Sequence, residues 1–558
     1  MRRLLVLGAL ASAPLVFRDG PALRDRGTVT VQVLAINDFH GNLEPPSGTN
    51  GLINGTAAGG AEYLATHLRD AAARNPRSIV VAAGDLVGAS PLISALFHNE
   101  PAIESMNAMN LAVASVGNHE FDRGPRELLR LQRGGCHPTD GCLDGAGFHG
   151  ARFGYLSANV IDNATHATLL PATAIRTVGG VRIGFIGETL RGTKEIVAPA
   201  GTAGLTFLDE ASAANLHAAR LERQGVHAIV LLIHEGGRQG PDDEDAEPNG
   251  CTNFSGAIAS IVRKLTPDIK VVISGHSHRF YNCSIAGHVL TSASSYGRMI
   301  TRITLAIESS TDIVSSVDAT NEVVGRDVEK DGRQTQIIAK YRGLSEEVAD
   351  KVVGSVAGNI MRRANEIGES ALGDVIADAQ LTSMASASHG GAVVAFMNSG
   401  GIRADLLANS PRAAARPGEV TYGELFNVQP FGNVMTVLTM TGDMIKRLLE
   451  QQFDNPAAGE RSVLQVSNGF SYRYARNAPA GHRVDPASLM IGERRVAPTD
   501  RLRVAASDFL VAGGNGFTVF KEGTNKVAGD ADIEALVAYV RTHSPVAPGP
   551  QNRIVRTD

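Results

Sequence analysis

Short apolar runs rich in β-branched residues alternate with helical stretches through the first half of the chain. The runs have the length of buried strands, whereas the segments between them carry the longer apolar period of helices. The predicted strands are residues 28–36, 78–83, 112–116, 181–186, 228–233 and 269–273. This alternation predicts a layered α/β sandwich, which we place at residues 28–315.

Residues 316–360 are more charged and show no strand pattern. Residues 334–341 and 345–353 have helical patterns, so we expect a helical linker between two halves of the protein. The later pattern predicts helices at residues 372–385 and 442–452 and strands at residues 392–397 and 501–506. A second α/β or α+β domain is therefore expected at residues 361–548.

The composition agrees with a globular protein of two large domains. The 558 residues exceed what one hydrophobic core usually serves, 43% are apolar, and the formal net charge is -5. The chain has no excess of basic residues of the kind that indicates a nucleic-acid partner, so none is expected. These patterns leave the oligomeric state open. Because Trp is absent, any stacking surface for a planar ligand must come from Phe and Tyr.

The chain begins like an export signal. Met1-Arg2-Arg3 is positively charged, an apolar stretch follows, and Ala11-Ser12-Ala13 offers small residues for cleavage. We assign residues 1–27 to a signal peptide and leader, and expect a secreted or cell-envelope protein, periplasmic or extracellular. An uncleaved anchor is the alternative, although the apolar run is short for a membrane span. No membrane anchor beyond this segment is expected.

Four cysteines are present, an even number that favours two disulfides in an exported chain. Three pairings are open. Proximity favours Cys136 with Cys142 and Cys251 with Cys283, and free buried thiols remain the alternative.

Polar residues follow the ends of five predicted strands. In α/β sheets, ligands bind beyond the carboxyl ends of the strands, so these side chains are expected to meet at one edge. The candidates are Asp38, His40, Asp85, Asn118, His234, His276 and His278.

Carboxylate, imidazole and amide ligands suit divalent ions such as Zn²⁺ or Mn²⁺, and Asp85 is the candidate bridge between two of them. Two ions would clamp a phosphate, activate water and stabilise the attacking and leaving oxygens. His119, with Asp122 three residues later, would stabilise phosphoryl oxygens or protonate the leaving group. Each residue alone is more often a turn or capping residue. Their combination favours a catalytic metal site.

The motifs resemble those of the calcineurin-like metallophosphoesterases, and their order is similar to the bacterial 5'-nucleotidase family. The matching blocks are Asn37-Asp38-Phe39-His40-Gly41, Gly84-Asp85, Gly117-Asn118-His119-Glu120-Phe121-Asp122, His234-Glu235-Gly236 and Gly275-His276-Ser277-His278. The resemblance implies one metal among Asp38, His40, Asp85 and His278. It implies the other among Asp85, Asn118, His234 and His276, with His119 and Asp122 as the catalytic pair.

The resemblance extends to the second half, which recognises the nucleotide in this family. It implies substrate contacts from Asn398 and Arg403, and a clamp on the base from Phe431 and Phe509. Both Phe residues would otherwise be assigned to a core. Two departures leave the substrate open: Asn515 stands where several members have a ribose-binding Asp, and Arg363, with Arg362, lies further upstream than its counterpart in some members.

The resemblance implies that the substrates are small-molecule nucleotides, nucleoside 5'-monophosphates, which are hydrolysed to nucleoside and phosphate. It also implies two divalent metal ions as cofactors. Hydrolysis of 2',3'-cyclic nucleotides or UDP-sugars at the same site is the first alternative. A surface binding protein without catalysis is the second, and the intact set of predicted ligands argues against it.

Overall fold

The structure is a computed structural model that describes residues 27–240, 246–410, 416–454 and 463–558. The predicted export signal lies outside these residues, apart from Gly27. In the described residues, no helix combines the length and the apolarity needed to cross a membrane.

Two mixed sheets form the centre of the N-terminal half. In the part of the chain that the structure describes, the first sheet has six strands, in the order Val314–Val323, Met299–Glu308, Thr28–Ile36, Ser78–Ala83, Leu111–Ser115 and Gly154–Leu156. The second sheet likewise has six described strands, in the order Phe280–Ile285, His288–Ala293, Ile269–Ser274, Ala228–His234, Val181–Thr189 and Thr173–Val178.

The two sheets pack face to face through alternate residues of their strands. Val31 and Val33 of the first sheet belong to one buried cluster with Ile183, Val230 and Val271 of the second. The opposite faces are covered by helices, so the layers run helix, sheet, sheet, helix. The helices of this half are Ala61–Arg74, Leu92–Ala95, Glu100–Ala108, Pro125–Arg133, Thr193–Ile196, Glu210–Arg223 and Ala257–Val262, with short 3-10 helices at Gly48–Gly51 and His119–Phe121. Short strands at Leu52–Ile53, Thr56–Ala57, Val160–Asp162, Ala167–Thr168 and Leu205–Phe207 complete it.

A mixed sheet also organises the C-terminal half. Its order among the described residues is Gln465–Val466, Val394–Met397, Arg501–Ser507, Val434–Thr441 and Thr524–Ala531. Phe396 faces the helix Gly442–Asp454 in one buried cluster, whereas Met397 faces Ala371–Met384 and Asp532–His543 in another. The remaining elements are the strands Val352–Ser355, Glu419–Thr421, Phe470–Tyr474, Met490–Ile491, Arg494–Arg495 and Ile554–Arg556, the helices Tyr422–Val428 and Asp508–Val511, and the 3-10 helices Ala387–His389, Ser399–Gly401, Pro486–Ser488, Gly514–Gly516 and Thr518–Glu522.

The α/β sandwich followed by a second α/β unit is as predicted, and the four elements predicted at residues 372–385, 392–397, 442–452 and 501–506 are present with shifted ends. The expectation that residues 316–360 contain no strand was wrong. Val314–Val323 pairs with Met299–Glu308 in the first sheet. The two predicted linker helices are one helix, Gly332–Ala349, followed by the strand Val352–Ser355. The three domain limits themselves stay predictions.

The helix Gly332–Ala349 packs on the N-terminal core. Ile338 and Tyr341 are buried in the same cluster as Leu64 and Phe97, and the Tyr341 and Phe97 rings lie 4.9 Å apart. The side chain of Asp331 caps its first turn by accepting from the Arg333 and Gln334 amides. The helix is therefore an integral part of the sandwich.

Hydrogen bonds join the two halves close to the predicted site. The Asp405 carboxylate accepts from the amide and the hydroxyl of Thr49, at 3.0 and 2.8 Å. Asn50 donates to the Arg403 carbonyl at 2.9 Å and accepts from Arg362 at 2.7 Å. These contacts hold the segment around Arg403 against the N-terminal half.

The two disulfides favoured by the sequence are both present. Cys136 is bonded to Cys142, and Cys251 is bonded to Cys283. The first closes a short loop and the second joins a connecting segment to the strand Phe280–Ile285.

Candidate metal centre and substrate cleft

The direction of the strands brings the predicted ligands to one edge. Thr28–Ile36 runs parallel to Ser78–Ala83, which runs parallel to Leu111–Ser115. In the facing sheet, Ala228–His234 runs parallel to Ile269–Ser274. The loops that follow these five strands therefore meet above the sandwich, where the packing of the two sheets ends.

The candidate ligand atoms converge into overlapping groups. Those of Asp38, His40 and His278 all lie within 4.8 Å of one another, as do those of Asp38, Asp85 and His234. Asp38, His40, Asp85 and His234 are fully buried or nearly so, and His278 is partly exposed. A site of this kind is closed on the protein side and open toward the cleft.

The distances between neighbouring donor atoms fit shared ions. Nε2 of His40 lies 3.0 Å from Nε2 of His278. Nε2 of His234 lies 2.9 Å from Asp85 Oδ2, and Nδ1 of His276 lies 3.0 Å from Asn118 Oδ1. Two ligands that each lie about 2.0–2.1 Å from one ion are separated by roughly 2.8–3.4 Å when the angle between them is octahedral to tetrahedral. All seven predicted ligands thus belong to one assembly, and their oxygen and nitrogen donors suit a borderline divalent cation.

Two of the histidines are oriented by backbone carbonyls. Nδ1 of His40 donates to the Gly88 carbonyl at 2.8 Å, and Nδ1 of His234 donates to the Ala83 carbonyl at 2.8 Å. Each bond places the proton on Nδ1 and leaves Nε2 facing the cluster. This is the arrangement that fixes the tautomer of metal-binding histidines.

The backbone of the ligand loops is strained. Asp38, His40, Asp85, His276 and His278 have φ values of 50°, 49°, 50°, 70° and 57°. Residues with a Cβ rarely occupy this left-handed region, and such conformations persist where surrounding contacts require them. The short loops after the strands turn sharply to aim these side chains at one point.

The charges of the cluster stabilise a cation at its centre. Burial lowers the pKa of His234, but the carboxylates of Asp85 and Asp38 outweigh it and raise the pKa to about 10. Burial and the neighbouring His234 lower the pKa of His276 to about 4. Burial also holds the pKa of His40 well below its ordinary value. In the absence of metal, the centre therefore combines imidazoles that favour the neutral form, His40 and His276, with carboxylates that stabilise positive charge at His234.

His119 and Asp122 form a hydrogen-bonded pair beside the cluster. Nδ1 of His119 donates to Asp122 Oδ2 at 2.7 Å, and the His119 amide donates to Asp85 Oδ1 at 2.9 Å. Burial lowers the pKa of His119, whereas Asp122 and Asp85 raise it, with a net increase. The imidazole is therefore held in one orientation and favours its protonated form.

Glu120 has a structural role that the sequence analysis did not assign. Its carboxylate accepts from the amides of Asp85, Leu86 and Gly117 at 2.9, 2.8 and 2.5 Å. One buried side chain thus ties together the loops that carry Asp85 and Asn118. Its place inside the block Gly117-Asn118-His119-Glu120-Phe121-Asp122 was the available signal.

Tyr296 was also missed. Its ring lies 5.8 Å from that of His40 and 5.3 Å from that of His278, and its amide donates to the Asp38 carbonyl at 2.7 Å. Tyr296 follows the strand His288–Ala293, which is parallel to Ile269–Ser274 and ends at the same edge. The run of polar residues after that strand was a usable signal.

A cleft of about 2330 Å³ extends from the metal cluster between the two halves. Phe431 lies in it with its ring stacked on His119, with centroids 5.8 Å apart. The Arg403 guanidinium lies 5.9 Å from the centre of the Phe431 ring. Nε and one terminal nitrogen of Arg403 are buried and have no hydrogen-bond partner among the described residues. Buried guanidinium donors without hydrogen-bond partners favour an anionic ligand.

The other predicted substrate residues line the same cleft. Asn398 donates to Asn515 Oδ1 at 3.1 Å. Phe509 is half-buried beside Gly514, and Phe509 and Arg363 both face the cleft. Arg362, beside Arg363, is held by Asn50 of the N-terminal half. The structure therefore gathers every predicted substrate residue around one space that opens on the metal cluster.

Two family descriptions match the chain. "Calcineurin-like phosphoesterase" matches residues 31–280, and "5'-nucleotidase, C-terminal domain" matches residues 352–522. The two matches correspond to the sandwich and to the second α/β unit.

Two curated relatives match nearly the whole chain. The Cell wall protein Lmo0130 of Listeria monocytogenes is 31% identical over 580 residues, covering 96% of this chain and 70% of the relative. Endonuclease YhcR of Bacillus subtilis is 31% identical over 534 residues, covering 94% of this chain. The chain spans only 41% of the length of that relative.

Among solved structures, the 5'-nucleotidase precursor from Thermus thermophilus has the same fold. The TM-score is 0.76 with 24% sequence identity, covering 95% of this chain and 100% of the other. With both halves matched in sequence and in fold, the chain belongs to the 5'-nucleotidase family of calcineurin-like metallophosphoesterases, enzymes that hydrolyse phosphoric esters.

Proposed function

We propose that this chain is an exported, metal-dependent phosphoesterase that hydrolyses nucleoside 5'-monophosphates to nucleoside and phosphate. The observation that carries the proposal is the position of Arg403 and Phe431. Arg403 offers buried, unpaired donors and Phe431 offers an aromatic face, and both adjoin His119 at the mouth of the metal cluster. An anion and a planar base are the two parts of a nucleotide that such groups recognise.

Calcineurin-like metallophosphoesterases use divalent metals, and the donor set of this chain suits them. We assign two ions of the Zn²⁺ or Mn²⁺ type. One would be held by Asp38, His40, Asp85 and His278, and the other by Asp85, Asn118, His234 and His276. Bound metals of this kind polarise the phosphate and lower the pKa of water.

His119 is the catalytic acid in this proposal. Its Nδ1 is fixed by Asp122, and the raised pKa of the ring favours a proton on the other ring nitrogen. That proton neutralises the oxygen of the departing nucleoside when the phosphorus–oxygen bond breaks. Asp122 acts through His119 by holding its orientation and stabilising its positive charge.

The C-terminal half binds the nucleotide. Arg403 pairs with the phosphate, and Phe431 and Phe509 hold the base. Asn398, Asn515 and Arg363 complete the lining. The side chains of Asn398 and Asn515 are hydrogen-bonded to each other. Their amide groups would be the neutral hydrogen-bond partners of the ribose hydroxyl groups.

Export is proposed from the N-terminal pattern and the cysteines. Both disulfides are of the kind that persists in oxidising compartments. One relative is named a cell wall protein. We propose a secreted or cell-envelope enzyme that acts on small nucleotides.

A substrate panel tests the function. The purified chain is assayed for release of phosphate or nucleoside from AMP, 2',3'-cyclic AMP, UDP-glucose and a single-stranded oligonucleotide, with and without a chelator. The proposal requires the highest kcat/KM for AMP and loss of activity with the chelator. Preference for the cyclic nucleotide, the nucleotide-sugar or the oligonucleotide would reassign the substrate. Turnover that survives complete removal of metal would reject the metal-dependent mechanism.

A further inference from the structure

A second group of candidate metal ligands lies in the wall of the cleft, outside the seven-residue centre. It consists of His98, His137 and Asp140, whose ligand atoms all lie within 4.8 Å of one another. Nε2 of His98 is 2.9 Å from Asp140 Oδ2, and Nδ1 of His137 is 3.3 Å from the same oxygen. These separations match those of the donors in the main centre.

The contact between His98 and Asp140 is not a hydrogen bond. Nε2 of His98 is shielded from solvent and has no hydrogen-bond partner within the described ranges. The carboxylate oxygen is near this nitrogen but is not positioned to accept from it. Donors that bind one ion about 2.0–2.1 Å away lie roughly 2.8–3.4 Å apart without pointing at each other. The geometry is therefore that of two ligands to a common cation.

A rigid loop supplies two of the three side chains. The disulfide between Cys136 and Cys142 closes the loop around His137 and Asp140. Within it, the amides of His137 and Gly141 each donate to the carbonyl of the other residue, at 3.2 and 2.9 Å. The Asp140 amide also donates to His137 Nδ1 at 3.3 Å, so this nitrogen is the unprotonated one of the ring. The loop thus holds an imidazole and a carboxylate in a fixed relation.

The third side chain comes from a strained joint between helices. His98 and Asn99 have φ values of 52° and 63° and connect Leu92–Ala95 to Glu100–Ala108. This conformation directs the His98 ring onto that of His137, with centroids 3.7 Å apart and planes 12° apart. Two stacked imidazoles repel each other when both are protonated, and they are compatible when a metal binds their neutral forms.

Electrostatics support the neutral form of His98. Burial and the neighbouring His137 lower its pKa below the ordinary value. A simple ion pair with Asp140 would produce the opposite shift. The side chains of His98, His137 and Asp140 are 25%, 22% and 44% exposed, so solvent reaches the group and water can complete the coordination.

We propose that His98, His137 and Asp140 bind an additional divalent cation of the Zn²⁺ type. Two imidazoles and one carboxylate are a donor set that zinc accepts, with water in the remaining position. The ion would fasten the disulfide loop to the joint at His98 and so stiffen this wall of the cleft. The proposal goes beyond the phosphoesterase function and does not depend on the substrate.

Metal stoichiometry tests this site. The full chain, free of any polyhistidine tag, is stripped with a chelator and dialysed against Zn²⁺, and bound zinc is measured by mass spectrometry. Wild-type protein is expected to hold one more equivalent than His98→Ala, His137→Ala or Asp140→Asn, with the ions of the main centre retained. His227→Ala is the matched control, because His227 also lies near a carboxylate, 3.7 Å from Glu222, but has no second histidine in its group. Equal zinc in all of these proteins would overturn the proposal.

A measurement on unmodified protein removes any dependence on folding of the variants. Crystals of wild-type protein grown with Zn²⁺ are measured at the zinc absorption edge. An anomalous peak between His98, His137 and Asp140 supports the site. Anomalous peaks confined to the seven-residue centre would reject it while leaving the proposed function intact.

Discussion

The imidazole of His119 stacks on the ring of Phe431, with centroids 5.8 Å apart and planes 26° apart. His119 begins the 3-10 helix His119–Phe121 of the N-terminal sandwich, and Phe431 precedes the strand Val434–Thr441 of the C-terminal sheet. The candidate acid and a candidate base-binding ring are therefore adjacent, although 312 positions apart in the chain. Effects on catalysis and on nucleotide binding can be separated only by comparing substrates.

Phe431→Ala is expected to raise KM for AMP by about tenfold, because stacking of a base on an aromatic ring contributes roughly 1–3 kcal/mol. Steady-state kinetics with AMP and with a small aryl phosphate measure the effect. KM for the aryl phosphate should change much less, since it has no nucleobase. Phe509→Ala should show the same selectivity, and equal changes for both substrates would contradict the clamp.

Arg403→Lys should raise KM for AMP and for the aryl phosphate alike. Lysine keeps the charge but loses the fork that holds a phosphate with two bonds, and hydrogen bonds to charged groups contribute about 1.5–3 kcal/mol, which corresponds to a rise of roughly tenfold or more. Arg501→Lys, at an exposed position in the C-terminal sheet, is the control. A rise in KM for AMP alone would place Arg403 at the base or the ribose instead.

The strand Val314–Val323 shows why part of the fold could not be predicted. It lies at the edge of the first sheet, and Ser315, Ser316 and Asp318 are exposed or only partly covered. Because an edge strand buries little of its surface, its apolar residues are sparse and its sequence looks like a charged connection. Its partner Met299–Glu308 shows the alternation clearly because one face is in the core.

The helix Gly332–Ala349 continues through residues 342–344, the gap between the two predicted helices, and this gap contains Gly343. Glycine often ends a helix, but here nothing lies within 4 Å of where its Cβ would be, and the helix continues through an exposed position. Burial of Ile338, Tyr341 and Ser345 on the neighbouring turns outweighs the cost of one glycine. The Asp331 cap was the signal for the true start.

The polar cluster was more predictable than the elements around it. His276 and His278 follow an apolar strand as a His-x-His pair, a spacing that has few purely structural explanations. Because the strand ends converge, the polar residues that follow the other strands are then expected beside these histidines. Glu120 and Tyr296 were harder to assign, because their positions depend on how loops from different strands meet. Such long-range contacts leave no periodic pattern in the sequence.

Glu120→Gln is expected to lower the free energy of unfolding by about 1–3 kcal/mol. The carboxylate accepts hydrogen bonds from backbone N–H groups through both oxygens, whereas the NH₂ group of glutamine would place a donor against one of these donors. Chemical denaturation measures this loss. Bound metal should also fall, since Asp85 and Asn118 lose their common support. Glu347→Gln, on the exposed face of the helix Gly332–Ala349, is the control. Unchanged stability and metal content would show that the loops are held by other contacts.

His119→Ala is expected to reduce kcat by roughly 10²–10⁴-fold, the usual contribution of a positioned general acid. Metal content should stay near the wild-type value, because the imidazole is assigned to the leaving group and the ions are assigned to the seven other side chains. Kinetics and metal analysis on the same preparation measure both quantities, with the exposed His149→Ala as the control. Asp122→Asn should reduce kcat less, since the ring keeps its place but loses the charge that raises its pKa. If His119→Ala lost metal in proportion to activity, His119 would be a ligand and the acid would have to be sought elsewhere in the cleft.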